Sequence, residues 1–259
     1  MTNLIRLPKT QQPYHLLLLF WLLSMISIPI LRWTVGDNAL RWSSSVSVVL
    51  QAATVLTILW QHWGARRVLL VSGILIPASW LVEWIGSSTG YPFGDYYYTD
   101  QLVPQIGHVP LLISLAWLMM LPPAWAIACL ITEKYSGWLF LFVSGLALTA
   151  WDLFLDPQMV GWGFWVWVEQ PMLFGGYFGI PWLNFFGWIV SGMFLTWLVT
   201  LAISLDALPV EPLLLVYIIT WLLETGGLAV LWGLPGPAIC GFIGMGTLIV
   251  LAYRRLARE

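Results

Sequence analysis

The chain is a succession of long apolar runs, with polar residues gathered in the breaks between them. A membrane-spanning helix needs about 20 mostly apolar residues. Eight runs meet that length, at roughly 14–35, 44–63, 68–86, 108–132, 136–156, 180–205, 212–232 and 236–253. The last two are split by Gly233-Leu234-Pro235-Gly236-Pro237, a helix breaker and tight turn. If that segment only kinks one helix, the count falls to seven. The pattern predicts an all-α, multi-pass helical bundle, with residues 1–259 as one membrane domain. Residues 1–13 and 254–259 are its short tails. Arg6 and Lys9 precede the first run, Leu16 to Leu31. That run is long for a signal peptide and lacks a small-x-small cleavage site, so it is expected to be a retained helix.

Charge orients the bundle. With eight spans, Arg6, Lys9, Arg66, Arg67, Lys134, Arg254, Arg255 and Arg258 all fall on one side. Only Arg32 and Arg41 fall on the other. The positive-inside bias therefore predicts cytoplasmic termini. With seven spans the C-terminal arginines would cross over and spoil the bias. The opposite side receives most of the acids and two long connections, Gly86 to Gly107 and Pro157 to Gly179. Loops rich in aromatics, glycines and acids are where function usually sits.

Composition agrees. Hydrophobic residues make up 60% and charged residues 8%, against about 25% charged in soluble domains. Mean hydropathy is +0.86. A net charge of −2 without a basic tract gives no footing for nucleic acid. Cys129 and Cys240 lie inside apolar runs and read as packed thiols. His15, His62 and His108 lie near span ends, and only His108 lies on the acidic side. No histidine or cysteine cluster suggests a metal.

The chemistry gathers around Trp151-Asp152-Leu153-Phe154-Leu155-Asp156-Pro157. Asp152 and Asp156 are four residues apart, so on a helix their Cβ atoms lie on one face about 5–6 Å apart. No Lys, Arg or His occurs between Lys134 and Arg254 to neutralise them. Ionisable groups in a membrane segment are expensive and by default functional. The topology puts Glu83 at a similar depth, near the outer end of the third span. Glu224 falls nearer the middle of the seventh, and Asp95 lies in the first long loop. Ordinary roles compete at each position. Asp156 could be a turn residue before Pro157, Glu224 an interhelical hydrogen-bonding group, and Asp95 the anchor of the Gly94-Asp95 turn.

Buried acids suit proton chemistry. A carboxyl group in an apolar site resists ionisation, and a neighbouring carboxylate strengthens that resistance in one member of the pair. A neutral acid and a carboxylate then coexist, an acid/base pair made by environment. Such a pair could add water across an unactivated double bond. Nineteen tryptophans are present. Most fit an interfacial belt, but Trp80, Trp84, Trp151, Trp162, Trp165, Trp167, Trp182 and Trp188 cluster near the acids. Aromatic faces can wall an apolar substrate and stabilise a carbocation. Of Tyr96, Tyr97 and Tyr98, at least one must face away from any single site.

Three segments together resemble the membrane-bound carotenoid hydratases of the CruF type. They are Glu83-Trp84-Ile85-Gly86 with Thr89-Gly90-Tyr91-Pro92-Phe93-Gly94-Asp95-Tyr96, then Trp151 to Pro157, then Gly179-Ile180-Pro181-Trp182-Leu183-Asn184-Phe185. The family includes γ-carotene 1′,2′-hydratase and the hydratase of C50 carotenoids. The likeness spans about residues 60 to 250. It implies a cofactor-free, metal-free hydro-lyase in the bilayer. Its substrate would be a carotenoid with an open ψ-end, such as γ-carotene, lycopene or a C50 type. Protonation at C2′ would leave a tertiary cation at C1′ for water to attack. The resulting hydroxyl would pass to a carotenoid glycosyltransferase. On this reading Asp152, Asp156, Glu83, Asp95 and Glu224 are the candidate catalytic acids. Trp84, Tyr91, Phe93, Tyr96, Trp151, Tyr177, Trp182 and Asn184 are the candidate substrate contacts. Asp152 is the favoured proton donor, Asp156 or Glu83 orients water, and Asn184 holds a carboxyl group in place.

Two rival classes remain. An integral-membrane prenyltransferase would read Asp152-x-x-x-Asp156 as part of a Mg²⁺–diphosphate site. Such sites need more oxygen ligands and nearby bases than occur here. A proton-coupled transporter would use Glu83, Asp152 and Glu224 as a relay, but no inverted repeat is visible.

Overall fold

A computed structural model describes residues 13–168 and 176–256. Glu169 and the glycine at 175 lie outside the described residues, as do Arg6, Lys9 and Arg258. Among the described residues, seven helices are long and apolar enough to cross a membrane. They are α1 (Pro13–Val35), α2 (Asn38–Thr89), α3 (Leu111–Thr132), α4 (Trp138–Gly161), α5 (Trp182–Ala202), α6 (Val210–Gly226) and α7 (Pro235–Leu256). A π-helical turn, Gly227–Leu231, extends α6. The chain is an integral membrane helical bundle.

The expected eight runs thus form seven helices. The second and third are joined in α2, whose 52 residues contain one non-helical position, Gly64 (φ 75°, ψ 167°). A straight helix of that length would reach about 78 Å at 1.5 Å per residue, far beyond a hydrocarbon core of about 30 Å. The break divides α2 into two arms of about 25 residues, each long enough to cross. Only glycine reaches such a φ without strain. The last pair is split into α6 and α7, as the Gly-Leu-Pro-Gly-Pro breaker requires.

Arg66 and Arg67 follow the Gly64 break. Lys134 follows α3, and Arg254 and Arg255 end α7. Arg255 pairs with Glu133 at 2.6 Å, which ties two of these segments together at one end of the bundle. Arg32 and Arg41 lie at the opposite end, where Arg32 pairs with Asp37 at 2.8 Å. α3 and α4 occupy the centre and are buried along most of their length. A helix that is apolar all round must be buried in this way. α4 meets α5 closely at Gly145 and Gly192. A Cβ on Gly145 would stand 2.4 Å from the Ile189 carbonyl oxygen, so only glycine permits this approach. The crossing brings the start of α5 beside Asp152.

Two features differ from the sequence expectation. The two long connections are not wholly irregular. Tyr96–Tyr98 (β1) pairs antiparallel with Trp165–Trp167 (β4), with Tyr96 opposite Trp167 and Tyr98 opposite Trp165. A second small hairpin joins Gln105–Ile106 (β2) to Val109–Pro110 (β3). The fifth run also does not stop at Asp156. α4 continues through Pro157 to Gly161. Proline has no N–H to give the carbonyl one turn back, which is that of Leu153. The Tyr177 hydroxyl donates to that carbonyl instead, at 2.9 Å. The freed acceptor is satisfied, so the helix persists and Asp156 keeps a helical position.

Tyr177→Phe should therefore lower stability by about 1–3 kcal/mol, the usual cost of an unpaired buried acceptor. Thermal unfolding in detergent measures it, and an unchanged Tm would show that the Leu153 carbonyl does not need the phenol.

Candidate active site

Three buried carboxyl groups meet between α2, α3, α4, α5 and the β1/β4 ribbon. Asp152 and Asp156 come from one face of α4, and Glu83 from the last turns of α2. Their exposures are 0%, 2% and 3%. Tyr96 and Tyr98 donate to Glu83 Oε2 at 2.6 and 2.7 Å. Trp117 Nε1 donates to Oε1 at 2.8 Å. Asp156 Oδ1 accepts from Trp165 Nε1 at 2.7 Å and Trp167 Nε1 at 3.1 Å. Asn184 Nδ2 bridges the pair, donating to Asp156 Oδ2 and Asp152 Oδ2 at 2.8 Å each. Asp152 Oδ1 is buried without a hydrogen-bond partner.

The ribbon explains four of these donors. Side chains alternate along a strand, so Tyr96 and Tyr98 face the acids while Tyr97 turns outward and is exposed. Trp165 and Trp167 likewise face inward, and Val166 turns out. Cross-strand aromatic contacts lock the ribbon, with ring centroids 5.1 Å apart for Tyr96–Trp167 and 6.0 Å for Tyr98–Trp165. Burial first, and then the facing Glu83 carboxyl, raises both phenols well above the usual tyrosine range. They therefore remain O–H donors at any working pH.

These residues enclose a small cavity of about 30 Å³, room for about one water. Phe93 closes one side, wedged between Gly86 and Gly187, where a Cβ would lie 2.5 and 2.7 Å from its ring. Trp188 closes another and stacks on Trp117 at 4.6 Å. A larger cavity of about 340 Å³ adjoins it, and Ile113, Ala116, Leu155 and Trp165 line both. Its wall is mainly apolar and includes Trp151, Trp162 and Trp232.

The structure brings together Asp152, Asp156, Glu83, Tyr96, Phe93 and Asn184. Trp151 lines the larger cavity, as does Glu224, which is separate from the three clustered acids. Asp95 is an exposed side chain against Gly90, outside both cavity linings. Trp84 is partly exposed and stacks on Trp80. Tyr91 is largely exposed, while Trp182 packs against Tyr177 and Phe185 on the far side of the α5 start. Tyr177 serves the Leu153 carbonyl. His108 is exposed and meets Ser87 and Ser88 at 2.9 and 3.2 Å. Sequence reasoning missed Trp117, one of two tryptophans in a uniformly apolar run, for which no local signal exists. It also passed over Gln158 and Ser47, polar breaks in apolar runs that could have been noticed.

The chain belongs to the family of carotenoid biosynthesis proteins, which matches residues 43–248. It is also similar to a bisanhydrobacterioruberin hydratase of Haloarcula japonica, with 32% identity over 130 residues. That match covers 49% of this chain and 43% of the relative, so less than half of each is aligned. No solved structure matches.

Glu83 accepts three donors, and Glu83→Gln would turn an amide N–H toward at least one of them. The variant should lose about 1–3 kcal/mol of stability for each donor left unpaired. Thermal unfolding of the detergent-solubilised variant tests this, and wild-type stability would contradict the donor assignment.

Proposed function

We propose that the protein is a carotenoid hydratase, adding water to the terminal 1′,2′ double bond of an open ψ-end. One observation carries this reading. Asp152 Oδ1, alone among the oxygens of the three clustered acids, has no partner, and it belongs to the group lining a water-sized cavity next to a large apolar one. The family and the name of the Haloarcula relative support the same reaction class.

The roles follow from the donor inventory. Asp156 accepts three N–H groups and suits a carboxylate. Asp152 accepts one on Oδ2, which leaves Oδ1 free to carry a proton. Asp152 gives that proton to C2′ of the double bond. The π electrons form the new C–H bond and leave a tertiary cation at C1′. Trp117, Trp188 and Tyr96 supply aromatic faces in the cavity wall to stabilise it. Water oriented by Asp156 attacks C1′ and loses its surplus proton to the Asp156 carboxylate. Return of that proton to Asp152 closes the cycle, and the net change is alkene plus water to tertiary alcohol. Asn184 holds both aspartates at fixed spacing. Glu83 fixes Tyr96, Tyr98 and Trp117, and its negative charge favours the cation.

A diphosphate-transferring site fits less well. Most oxygens of the three acids already accept neutral N–H or O–H donors, and among the described residues no Lys or Arg lines either cavity. The product alcohol suits onward transfer to a sugar by a carotenoid glycosyltransferase.

Expression in cells that accumulate γ-carotene or lycopene tests the proposal. Pigments heavier by one water are expected. Asp152→Asn should insert normally yet slow hydration about 10²–10⁴-fold, the range for loss of a positioned general acid. Unchanged pigment beside folded wild-type protein sinks the reading for those substrates, and near-normal turnover by Asp152→Asn removes it from the mechanism.

A further inference from the structure

The larger cavity is closed at its two ends and open on a side between α1 and α6. Toward the middle of the bundle it ends at Gln51, halfway along the first arm of α2. The Gln51 amide donates to Thr220 Oγ1 at 3.3 Å and to Met120 Sδ at 3.2 Å, which ties α2, α3 and α6 together. At the Arg32 end Trp162 packs edge-on to Trp232, with ring centroids 4.9 Å apart. The Arg32 guanidinium lies over the Trp232 ring at 5.4 Å, and Asp37 holds it there at 2.8 Å. Beyond Trp162 lies a separate polar cavity of about 360 Å³, lined by Arg32, Asp37 and Arg41. An apolar chain leaving at that end would have to cross it.

The open side faces lipid. Ile26 of α1, Leu222 of α6 and Leu231 of the π-helical turn all line the cavity, yet they are 53%, 54% and 37% exposed. Among the described residues α1 packs along α2 and makes no extended contact with α6. Size decides what uses the gap. A cavity of about 340 Å³ lies near the low end of the range for drug-sized ligands, roughly 300–1,000 Å³. A C40 or C50 polyene is longer than such ligands, and its conjugated chain is too stiff to coil up inside. Part of it must stay outside, and the α1/α6 gap gives that part apolar surroundings.

We infer that the gap between α1 and α6 is a lateral portal through which the polyene substrate enters from the bilayer. The inference rests on the carotenoid substrate of the hydratase reading and deepens it. One end of the polyene passes Ile26 and Leu222 first. It reaches the acids where Ile113, Ala116, Leu155 and Trp165 line both cavities. The rest of the chain stays in the gap and in the surrounding lipid while that end reacts. Product leaves by the same route, so the long chain never crosses the polar cavity at Arg32.

Quenching of tryptophan fluorescence by bound polyene gives a test that does not depend on turnover, since Trp151, Trp162 and Trp232 line the cavity. The full-length protein in detergent is titrated with lycopene and with a truncated lycopene that keeps one ψ-end and fits inside. Leu222→Trp, alone and combined with Ile26→Trp, narrows the gap. The double variant should bind lycopene about tenfold or more weakly, the usual scale for an overfilled apolar site, and the truncated probe as wild type does. Ile243→Trp, on an exposed position of α7 outside the cavity lining, should change neither. If Leu222→Trp fails to fold, Ile26→Trp alone takes its place with the same expectation. Unchanged lycopene binding by the gap variants overturns the inference, as does an equal loss for both probes. Hydration is measured in parallel. A length-dependent loss of binding without hydration of either probe by wild type overturns the hydratase reading and leaves the portal. Hydration by wild type with no length-dependent loss does the reverse.

Discussion

Three carboxyl groups are buried inside an apolar bundle without a cation beside them among the described residues, and much of the surrounding architecture answers that constraint. Burying an unpaired carboxyl in an apolar medium is severely unfavourable. Pairing with Lys or Arg would neutralise it, but would also remove the acid from proton chemistry. This chain surrounds the acids with neutral N–H and O–H donors instead. Indole and phenol groups stabilise negative charge while keeping an apolar body toward the substrate. The β1/β4 ribbon and the close α4/α5 crossing at Gly145 position these donors.

The donor pattern is unequal, and the inequality gives the site its direction. Both oxygens of Glu83 and of Asp156 accept a donor, whereas Asp152 retains one bare oxygen. A site made only to bury charge would have completed that shell. Asp152, which bears it, lines a cavity of about 30 Å³ whose wall is shared with one of about 340 Å³. A long apolar chain could occupy the larger space while its terminal double bond meets acid and water in the smaller one. Excluding bulk water limits quenching of a cation by stray nucleophiles.

Much of this was legible in the sequence. The i, i+4 spacing of Asp152 and Asp156 placed both on one helix face. Charge distribution put Glu83 at the same end, and the Gly179 to Phe185 segment pointed to Asn184. Strand alternation required one of three consecutive tyrosines to face away, and it is Tyr97. What was hidden depends on contacts distant in sequence. Trp165 and Trp167 become Asp156 donors only because their strand pairs with Tyr96–Tyr98, about 70 residues earlier. Trp117 reaches Glu83 across a helix interface. The run through Pro157 looked like a helix end because the Tyr177 phenol that replaces the missing N–H lies 24 residues away from Leu153.

The central claim is that a carboxylic acid protonates carbon and that water supplies the new hydroxyl. Turnover by the purified protein in deuterium oxide enriched in oxygen-18, followed by mass spectrometry of the pigment, tests it most directly. The account predicts one non-exchangeable deuterium on the carbon next to the alcohol and one oxygen-18 in the hydroxyl. A product oxygen derived from dioxygen, or a hydroxylated product without carbon-bound deuterium, would contradict it.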